Sequence, residues 1–165
     1  MTSPAPNSPL HKLMAHHAQA GTVEWIGLRP ARRETMQVVE EVYARFGTGL
    51  DGDRYKGQPG SIRQVTLIQA EHLAAIASFL GQDSVDPAAL RRNIVVRGIN
   101  LHALKNHPFR VGEAVLELTG DCHPCSRMEE TLGPGGYNAI RSHGGITARV
   151  LQEGAIRIGD AVVPV

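Results

Sequence analysis

The chain has 165 residues, which is enough for one domain with a substantial core. Its 17 basic and 16 acidic side chains nearly cancel and its aromatic residues are few, so the composition does not indicate a nucleic-acid-binding surface. Eighteen glycines and ten prolines favour a turn-rich β protein over a helical bundle, and the sequence has no apolar run long enough to span a membrane.

Residues 1–20 are rich in Pro, Ser, Ala and His and are predicted to form a flexible N-terminal arm, with at most a short helix at Leu10–Ala18. They lack the apolar segment and cleavage site of a secretory signal. With two cysteines and no such signal, we expect a cytoplasmic protein in which a structural disulfide is disfavoured. Residues 21–165 are predicted to form a single domain, because no linker or repeat divides them.

The first strands are predicted from β-branched and apolar runs. Thr22–Leu28 is followed by Arg29-Pro30, where proline cannot donate to a β-ladder, and Met36–Val42 is the second run. Gly47–Arg54 contains three glycines and two aspartates, which predicts a tight loop without regular structure.

A strand, two helices and another strand follow this loop. Val65–Ile68 is apolar and β-branched, and Gln69–Leu80 places its apolar residues on one helical face. Asp86-Pro87 is a favourable helix start, because Asp accepts a capping hydrogen bond and proline lacks an N–H that would be unpaired there. A short helix is therefore predicted at Pro87–Arg91 and a strand at Ile94–Val96.

The C-terminal part consists of short runs joined by turns that contain Gly, Glu or Asp. The predicted strands are Phe109–Val111, Ala114–Leu118, Ile146–Leu151, Ala155–Ile158 and Ala161–Val163, and a helix is predicted at Ser126–Leu132. Short strands at this spacing predict a mainly β fold, a small barrel with a few peripheral helices.

Both cysteines lie in the segment T-G-D-C-H-P-C-S-R-M, residues 119–128. Cys122 and Cys125 could be half of a zinc site, although the sequence has no second C-x-x-C or H-x-x-x-H. They could be a dithiol pair, because the start of the predicted helix would stabilise a thiolate. They could also be buried apolar side chains, or one of them could bind a soft metal that a cofactor holds.

The last interpretation requires groups that hold an anionic cofactor, and basic residues recur at strand ends and loop edges. These residues are Arg29, Arg32, Arg33, Arg54, Lys56, Arg63, Arg91 and Arg92. The planar guanidinium group suits phosphate, and Asn93 adds amide donors and an acceptor. Two positions stand out, since Arg54 ends a glycine-rich loop and Arg91 joins a helix to a strand.

Five segments occur in a characteristic order: G-L-D-G-D-R-Y, R-Q-V-T-L-I-Q-A-E-H-L, R-R-N-I-V-V-R-G-I-N-L, F-R-V-G-E-A-V-L-E-L-T and H-P-C. The chain then closes with H-G-G-I-T-A-R-V-L-Q-E-G-A-I-R-I-G-D-A-V. Together they resemble the MOSC domain, which is named after the C-terminal part of molybdenum cofactor sulfurase. The resemblance covers about residues 21–165 and is to the small, single-domain bacterial type. It implies a mainly β, MOSC-type barrel with a few peripheral helices and a site for the molybdenum cofactor (Mo-molybdopterin).

The resemblance also implies which residues bind the cofactor. Family members hold the metal by a cysteine that follows a proline, which corresponds to Cys125. Arg91 and Asn93 correspond to their R-x-N segment, Arg54 to their G-D-R segment and Arg29 to the basic end of their first strand. The positions that contact pterin and phosphate in other members correspond to Ser61 and Arg63.

The implied activity is reduction of N-oxygenated, for example N-hydroxylated, small molecules by oxygen atom transfer at a molybdenum held by a cysteine thiolate. His123 is assigned as a proton donor, because its ordinary pKa lies near neutrality. Since the sequence has no dinucleotide or haem motif, electrons are expected from a partner reductase. The alternatives are a non-catalytic carrier of the cofactor or of sulfur, and a zinc or dithiol protein. The sequence pattern of the MOSC family does not require Cys122.

Overall fold

The structure, a computed structural model, describes residues 3–54 and 61–165. Lys56, one of the basic residues named above, lies outside the described residues. The strands are β1 Gly21–Leu28, β2 Gln37–Val39, β3 Glu41–Arg45, β4 Gly49–Leu50, β5 Val65–Gln69, β6 Ile94–Arg97, β7 Phe109–Val111, β8 Ala114–Asp121, β9 Ile146–Gln152, β10 Gly154–Arg157 and β11 Ala161–Pro164. The helices are α1 Pro9–Met14, α2 Ala70–Phe79, α3 Pro87–Leu90, α4 Ser126–Leu132 and α5 Gly136–Ile140, with a 3-10 turn at Leu101–Leu104.

Seven of the described strands close into a barrel, in the order β1, β11, β7, β8, β9, β5 and β6, with β6 returning to β1. The pairs are antiparallel except for β5 with β6. The eight-residue β1 closes the ring because its first residues pair with β11 while the strand also pairs with β6. β2 pairs with the end of β1, and β3 forms a smaller sheet with β10 and β4.

Successive residues of the central strands point to opposite faces and build two cores. Leu67 and Ile94 belong to the cluster inside the barrel, and their neighbours Ile68 and Val95 belong to a second cluster outside it. Ile76 of α2 is fully buried in that second cluster. The helices therefore cover one outer face of the barrel. They leave the rim at the starts of β5 and β6 uncovered.

The predicted mainly β barrel with a few peripheral helices is confirmed, and most predicted strands differ from the observed ones by only a few residues at their ends. The predicted run Met36–Val42 is instead two strands in different sheets. Val39 pairs with Ile26 of β1, whereas Val42 pairs with Ile156 of β10. A continuous β-branched pattern does not reveal a change of pairing partner.

The prediction of no regular structure in Gly47–Arg54 was wrong at Gly49–Leu50, which forms β4 against β3. Gly49 has a φ of 85°, and a Cβ there would lie 2.5 Å from the carbonyl oxygen of Gln64, so only glycine allows this close approach. α5 and the 3-10 turn were not predicted, because both are too short to show a helical period. No helix among residues 3–54 and 61–165 is long and apolar enough to cross a membrane.

Candidate anion-binding site

An open cavity of about 580 Å³ lies at one rim of the barrel. It is lined by Arg29, Arg54, Arg63, Thr66, Arg92, Asp121, Cys122, His123 and Thr147. These residues are far apart in sequence, but the strand directions bring them together. β1 is antiparallel to β6 and β6 is parallel to β5, so the end of β1 lies beside the starts of β5 and β6 at this rim. Thr66 near the start of β5 is opposite Thr147 of β9, and Thr147 is opposite Gly120 near the end of β8, so the register brings the end of β8 to the same rim.

Arg29 is held at the cavity by a buried carboxylate. Asp53, whose side chain is 0% exposed, accepts hydrogen bonds from the Arg29 Nη2 at 2.7 Å, from its Nε at 3.1 Å and from its backbone N at 2.8 Å. A fork-on-carboxylate contact of this kind fixes the plane of the guanidinium group. The glycine-rich loop that carries Asp53 thus orients the arginine at the end of β1.

Asn93 lies behind Arg29 and makes all its side-chain contacts with protein atoms. Its Oδ1 accepts from the backbone N of Thr66 at 3.1 Å and from the Thr66 hydroxyl at 3.0 Å. Its Nδ2 donates to the carbonyl of Gly27 and to Asp53, both at 3.1 Å. The residue is 0% exposed and does not line the cavity, so it positions β1, β5 and Asp53 relative to one another.

Arg92 lines the cavity and joins two chain segments at its wall. Its Nε donates to the carbonyl of Gly144 and its Nη1 to the carbonyl of Leu90, each at 2.7 Å. Arg92 is one of the basic residues at strand ends, but the R-x-N resemblance pointed to Arg91 instead. The place of Arg92 in the short segment before β6, which starts at the rim, could have identified it.

The two cysteines occupy different environments. Cys122 is half-buried and lines the cavity, and its backbone N donates to the carbonyl of Gly145 at 2.9 Å. Burial raises the pKa of its thiol, while Arg92, Arg63 and Arg29 act in the opposite direction. Cys125 is exposed at the N-cap of α4 and is not part of the cavity lining.

Four predicted site residues meet in the cavity and four lie elsewhere. Arg29, Arg54, Arg63 and His123 line it. Cys125, Ser61, Arg91 and Asn93 do not, although Arg91 lines the neighbouring cavity and Ser61 lines another. The residues that sequence reasoning did not place in the site are Thr66, Arg92, Asp121, Cys122 and Thr147. Threonines within strands gave no sequence signal, since their side chains become functional only through the register of the barrel.

The cavity carries an excess of positive charge. Arg29 pairs with Asp53, but Arg54, Arg63 and Arg92 have no carboxylate within ion-pair distance among residues 3–54 and 61–165. The lining carboxylate Asp121 is engaged instead with His102, whose Nε2 lies 3.2 Å from its Oδ1. Clustered guanidinium groups without counter-charges attract an anion.

The described residues do not present a preformed metal centre of their own. No group of three or more His, Cys, Asp or Glu side chains among them is arranged to hold a metal ion. The zinc alternative therefore has no structural support within residues 3–54 and 61–165. A metal in this cavity would have to arrive with a ligand that supplies further donor atoms.

Comparisons with known proteins agree with the fold. A family model described as MOSC domain matches residues 54–163, well over half of the chain. The crystal structure of the YuaD protein from Bacillus subtilis is similar with a TM-score of 0.75 at 19% identity, covering 87% of this chain and 94% of that chain. YiiM from Geobacillus stearothermophilus is similar with a TM-score of 0.70 at 20% identity, covering 88% of this chain and 75% of that chain.

YiiM from Escherichia coli has a TM-score of 0.65 at 19% identity over 87% of this chain and 69% of that chain. At these identities the likeness to the solved structures shows a shared fold. No curated protein sequence matches the chain significantly.

Proposed function

The chain belongs to the MOSC domain family, and from this membership we propose that it binds the molybdenum cofactor in the rim cavity and reduces N-oxygenated small molecules. The observation that carries the proposal is the set of three cavity arginines without a carboxylate partner among the described residues. A molybdopterin is anionic through its phosphate and its dithiolene sulfurs, so it matches this charge.

The residues of the cavity fit such a group chemically. Arg54, Arg63 and Arg92 supply guanidinium donors for phosphate, and Arg29 adds a fourth that Asp53 holds in place. The Thr66 hydroxyl is already bonded to Asn93, and the Thr147 hydroxyl lies 3.0 Å from that of Thr119, so toward a pterin ring each offers its remaining acceptor capacity. These residues would hold the cofactor by its polar edges and leave the cysteine-containing end of the cavity for the metal.

Two thiols are candidates for the metal ligand. The family resemblance assigns Cys125, whereas the cavity lining contains Cys122. The residues are separated by His123 and Pro124 at the start of α4, so both sulfurs belong to one short segment at the mouth of the cavity. Loss of molybdenum from Cys125→Ser but not from Cys122→Ser would support the family assignment, and the reverse result would reassign the ligand to Cys122.

The bound cofactor would supply two-electron oxygen atom transfer, and the protein would supply binding, orientation and protons. The four arginines neutralise the anionic group and fix its direction. His123 lines the cavity and is exposed, so it is the residue proposed to deliver a proton to the leaving oxygen. Electrons are proposed to come from a partner reductase, and the open cavity admits a small-molecule substrate.

A cofactor or sulfur carrier is the second candidate, and the exposure of Cys125 favours it. A thiol that solvent reaches freely can also be reached by a partner protein that receives the cargo. The fold by itself does not separate a carrier from an enzyme, because both need the anion-binding cavity.

Dye oxidation by cofactor-loaded protein tests the proposed activity. The protein is mixed with reduced methyl viologen, and absorbance is followed after addition of an amidoxime. We expect oxidation only when the amidoxime is present, with the corresponding amidine as product. Loaded protein that leaves the dye reduced, and instead passes its cofactor to an apo-molybdoenzyme, would reject the enzyme and favour the carrier.

A further inference from the structure

A second basic cavity of about 320 Å³ lies beside the first. It is lined by Arg33, Ala88, Ala89, Arg91, Arg127, Glu130 and Thr131. The two cavities meet at consecutive residues, since Arg91 lines the second and Arg92 the first. The turn that connects α3 to β6 is therefore the wall between them.

Arg91 is held firmly in this wall. Its backbone adopts a left-handed conformation with a φ of 55° at the C-cap of α3. Its Nη1 donates to the carbonyl of Glu34 at 2.6 Å and its Nη2 to the carbonyl of Ala31 at 3.3 Å. These contacts use only part of the five N–H donors of a guanidinium group, so the remaining donors are free to bind a ligand.

Arg33, on the opposite segment, also has a left-handed backbone, with a φ of 63°. Such conformations are uncommon for residues other than glycine and are frequent at ligand-binding sites. Two arginines in this conformation thus line one cavity. The segment of residues 31–34 that bears Arg33 is the one whose carbonyls anchor Arg91.

The charges of this cavity are not compensated by ion pairs. Within the described part of the chain, none of Arg33, Arg91 and Arg127 has a carboxylate oxygen within ion-pair distance. The pKa of Arg91 is lowered, first by burial and then by Arg29, Arg54 and Arg127, while Asp53 opposes them. Arginines of both cavities therefore repel one another, and a bound anion would relieve that repulsion.

We infer that the second cavity is a phosphate subsite, so that the ligand of the rim cavity carries a phosphate ester that extends past Arg91. Three arginines and the single lining glutamate give a net charge of +2 (3 − 1), which matches a phosphate monoester dianion. The Thr131 hydroxyl is a further donor. This inference rests on the proposed function only for the identity of the group in the first cavity. Phosphate binding in the second cavity does not depend on the proposed function.

The phosphate ester has two chemical sources. It is either a nucleotide that extends the cofactor or a phosphate group on the substrate. A nucleotide extension would present a pyrophosphate diester with one negative charge on each phosphoryl group, whereas a substrate phosphate would present a monoester dianion. In both cases the three guanidinium groups recognise phosphoryl oxygens.

Pyrophosphate titration of protein from cells that cannot make the cofactor tests the subsite itself. Isothermal titration calorimetry compares wild type, Arg33→Ala, Arg127→Ala and the control Arg110→Ala, whose arginine lies on β7 and lines neither cavity. We expect the dissociation constant to rise at least about tenfold for the first two variants, while the control changes within about twofold. Because no molybdenum is involved, a failure of the proposed function would leave this readout intact.

Two further experiments distinguish the two sources of the phosphate ester. Acid treatment of cofactor-loaded wild type that releases a nucleotide in proportion to molybdenum would assign the phosphate to the cofactor. If no nucleotide appears, we expect Arg127→Ala to raise KM at least about tenfold for an N-hydroxylated nucleoside monophosphate but not for the free nucleoside. Pyrophosphate binding that Arg33→Ala and Arg127→Ala leave unchanged would overturn the subsite. If both variants weaken pyrophosphate binding but neither source signature appears, the proposed function fails while the subsite stands.

Discussion

At the scale of single residues, the buried side chains of Asn93 and Asp53 orient the half-buried guanidinium group of Arg29. Asp53 directs the guanidinium group of Arg29, and Asn93 in turn donates to Asp53 and accepts from Thr66. Both buried residues are fully satisfied by protein atoms, so the network is rigid before any ligand binds. Their contribution to binding is indirect, through the position of Arg29.

Asn93→Ala should therefore destabilise the fold more than an ordinary polar substitution. The change leaves the carbonyl of Gly27 and the amide of Thr66 without their buried partners, and we expect a loss of about 3 kcal/mol in the free energy of unfolding. Urea denaturation measures it, with Asn138→Ala on the exposed face of α5 as the control, expected within about 0.5 kcal/mol. Equal losses for the two variants would refute the structural role of Asn93.

A histidine cluster lies beside the site, and we expect it to make the stability of the fold depend on pH. His72 of α2 is half-buried, its Nδ1 is buried and has no hydrogen-bond partner among the described residues, and its ring centroid lies 5.0 Å from that of His143. The pKa of His72 is lowered from its ordinary value of 6.5, mainly by burial and then by His143 and His102, with Glu71 opposing. The folded protein thus holds His72 neutral where the unfolded chain would protonate it.

Stability should fall as the pH is lowered below about 6.5, because there the unfolded chain binds a proton that the folded state does not. The fall should end once the pH passes below the lowered pKa of the folded state. In His72→Leu, the loss of unfolding free energy between about pH 7.5 and pH 5.5 should be smaller than in wild type. His16→Gln, in the exposed N-terminal segment, should retain the wild-type slope. An unchanged slope in His72→Leu would show that other groups set the pH response.

At the scale of elements, the loop before β9 fixes the cysteine segment after β8. The Cys122 backbone N donates to the carbonyl of Gly145, and a Cβ on Gly144 would lie 2.3 Å from the carbonyl oxygen of Cys122. Arg92 donates to the carbonyl of the same Gly144. One glycine thus allows a loop, a cysteine segment and an arginine to meet at the cavity wall.

Gly144→Ala should displace this segment. We expect a loss of about 2 kcal/mol in unfolding free energy and faster alkylation of Cys122 by iodoacetamide, read by mass spectrometry. Gly120→Ala on β8 is the control, because a Cβ there meets nothing closer than 3.4 Å and should change neither quantity. If Cys122 reacts at the wild-type rate in Gly144→Ala, the close contact does not control its accessibility.

Helices and strands could be predicted from the sequence where neighbouring residues carried a clear apolar period or a helix-capping signal. The apolar face of Gln69–Leu80 identified α2, and Asp86-Pro87 identified α3. The split of Met36–Val42 into β2 and β3 was not predictable, since both strands share one β-branched pattern. The site was predicted in part: Arg29, Arg54 and Arg63 followed from motif order, whereas Thr66 and Thr147 depend on register.

At the scale of the whole molecule, barrel closure creates the site. The chain supplies the cavity arginines from loops before β5, before β6 and after β1, and they become neighbours when β6 pairs with both β1 and β5. The resulting rim collects positive charge that the described carboxylates do not balance. The net charge of the sequence, near zero, hides this local excess.

The molybdenum and pterin content of purified protein tests the central claim most directly. Wild type, Arg54→Ala/Arg92→Ala and the control Arg110→Ala are prepared from cells that make the cofactor, and wild type also from cells that do not. We predict stoichiometric molybdenum and pterin in wild type and the control, a loss of at least about tenfold in the double variant, and neither component from deficient cells. Wild-type protein from competent cells that contains neither, or a double variant that retains both, would contradict the assignment of the rim cavity as the cofactor site.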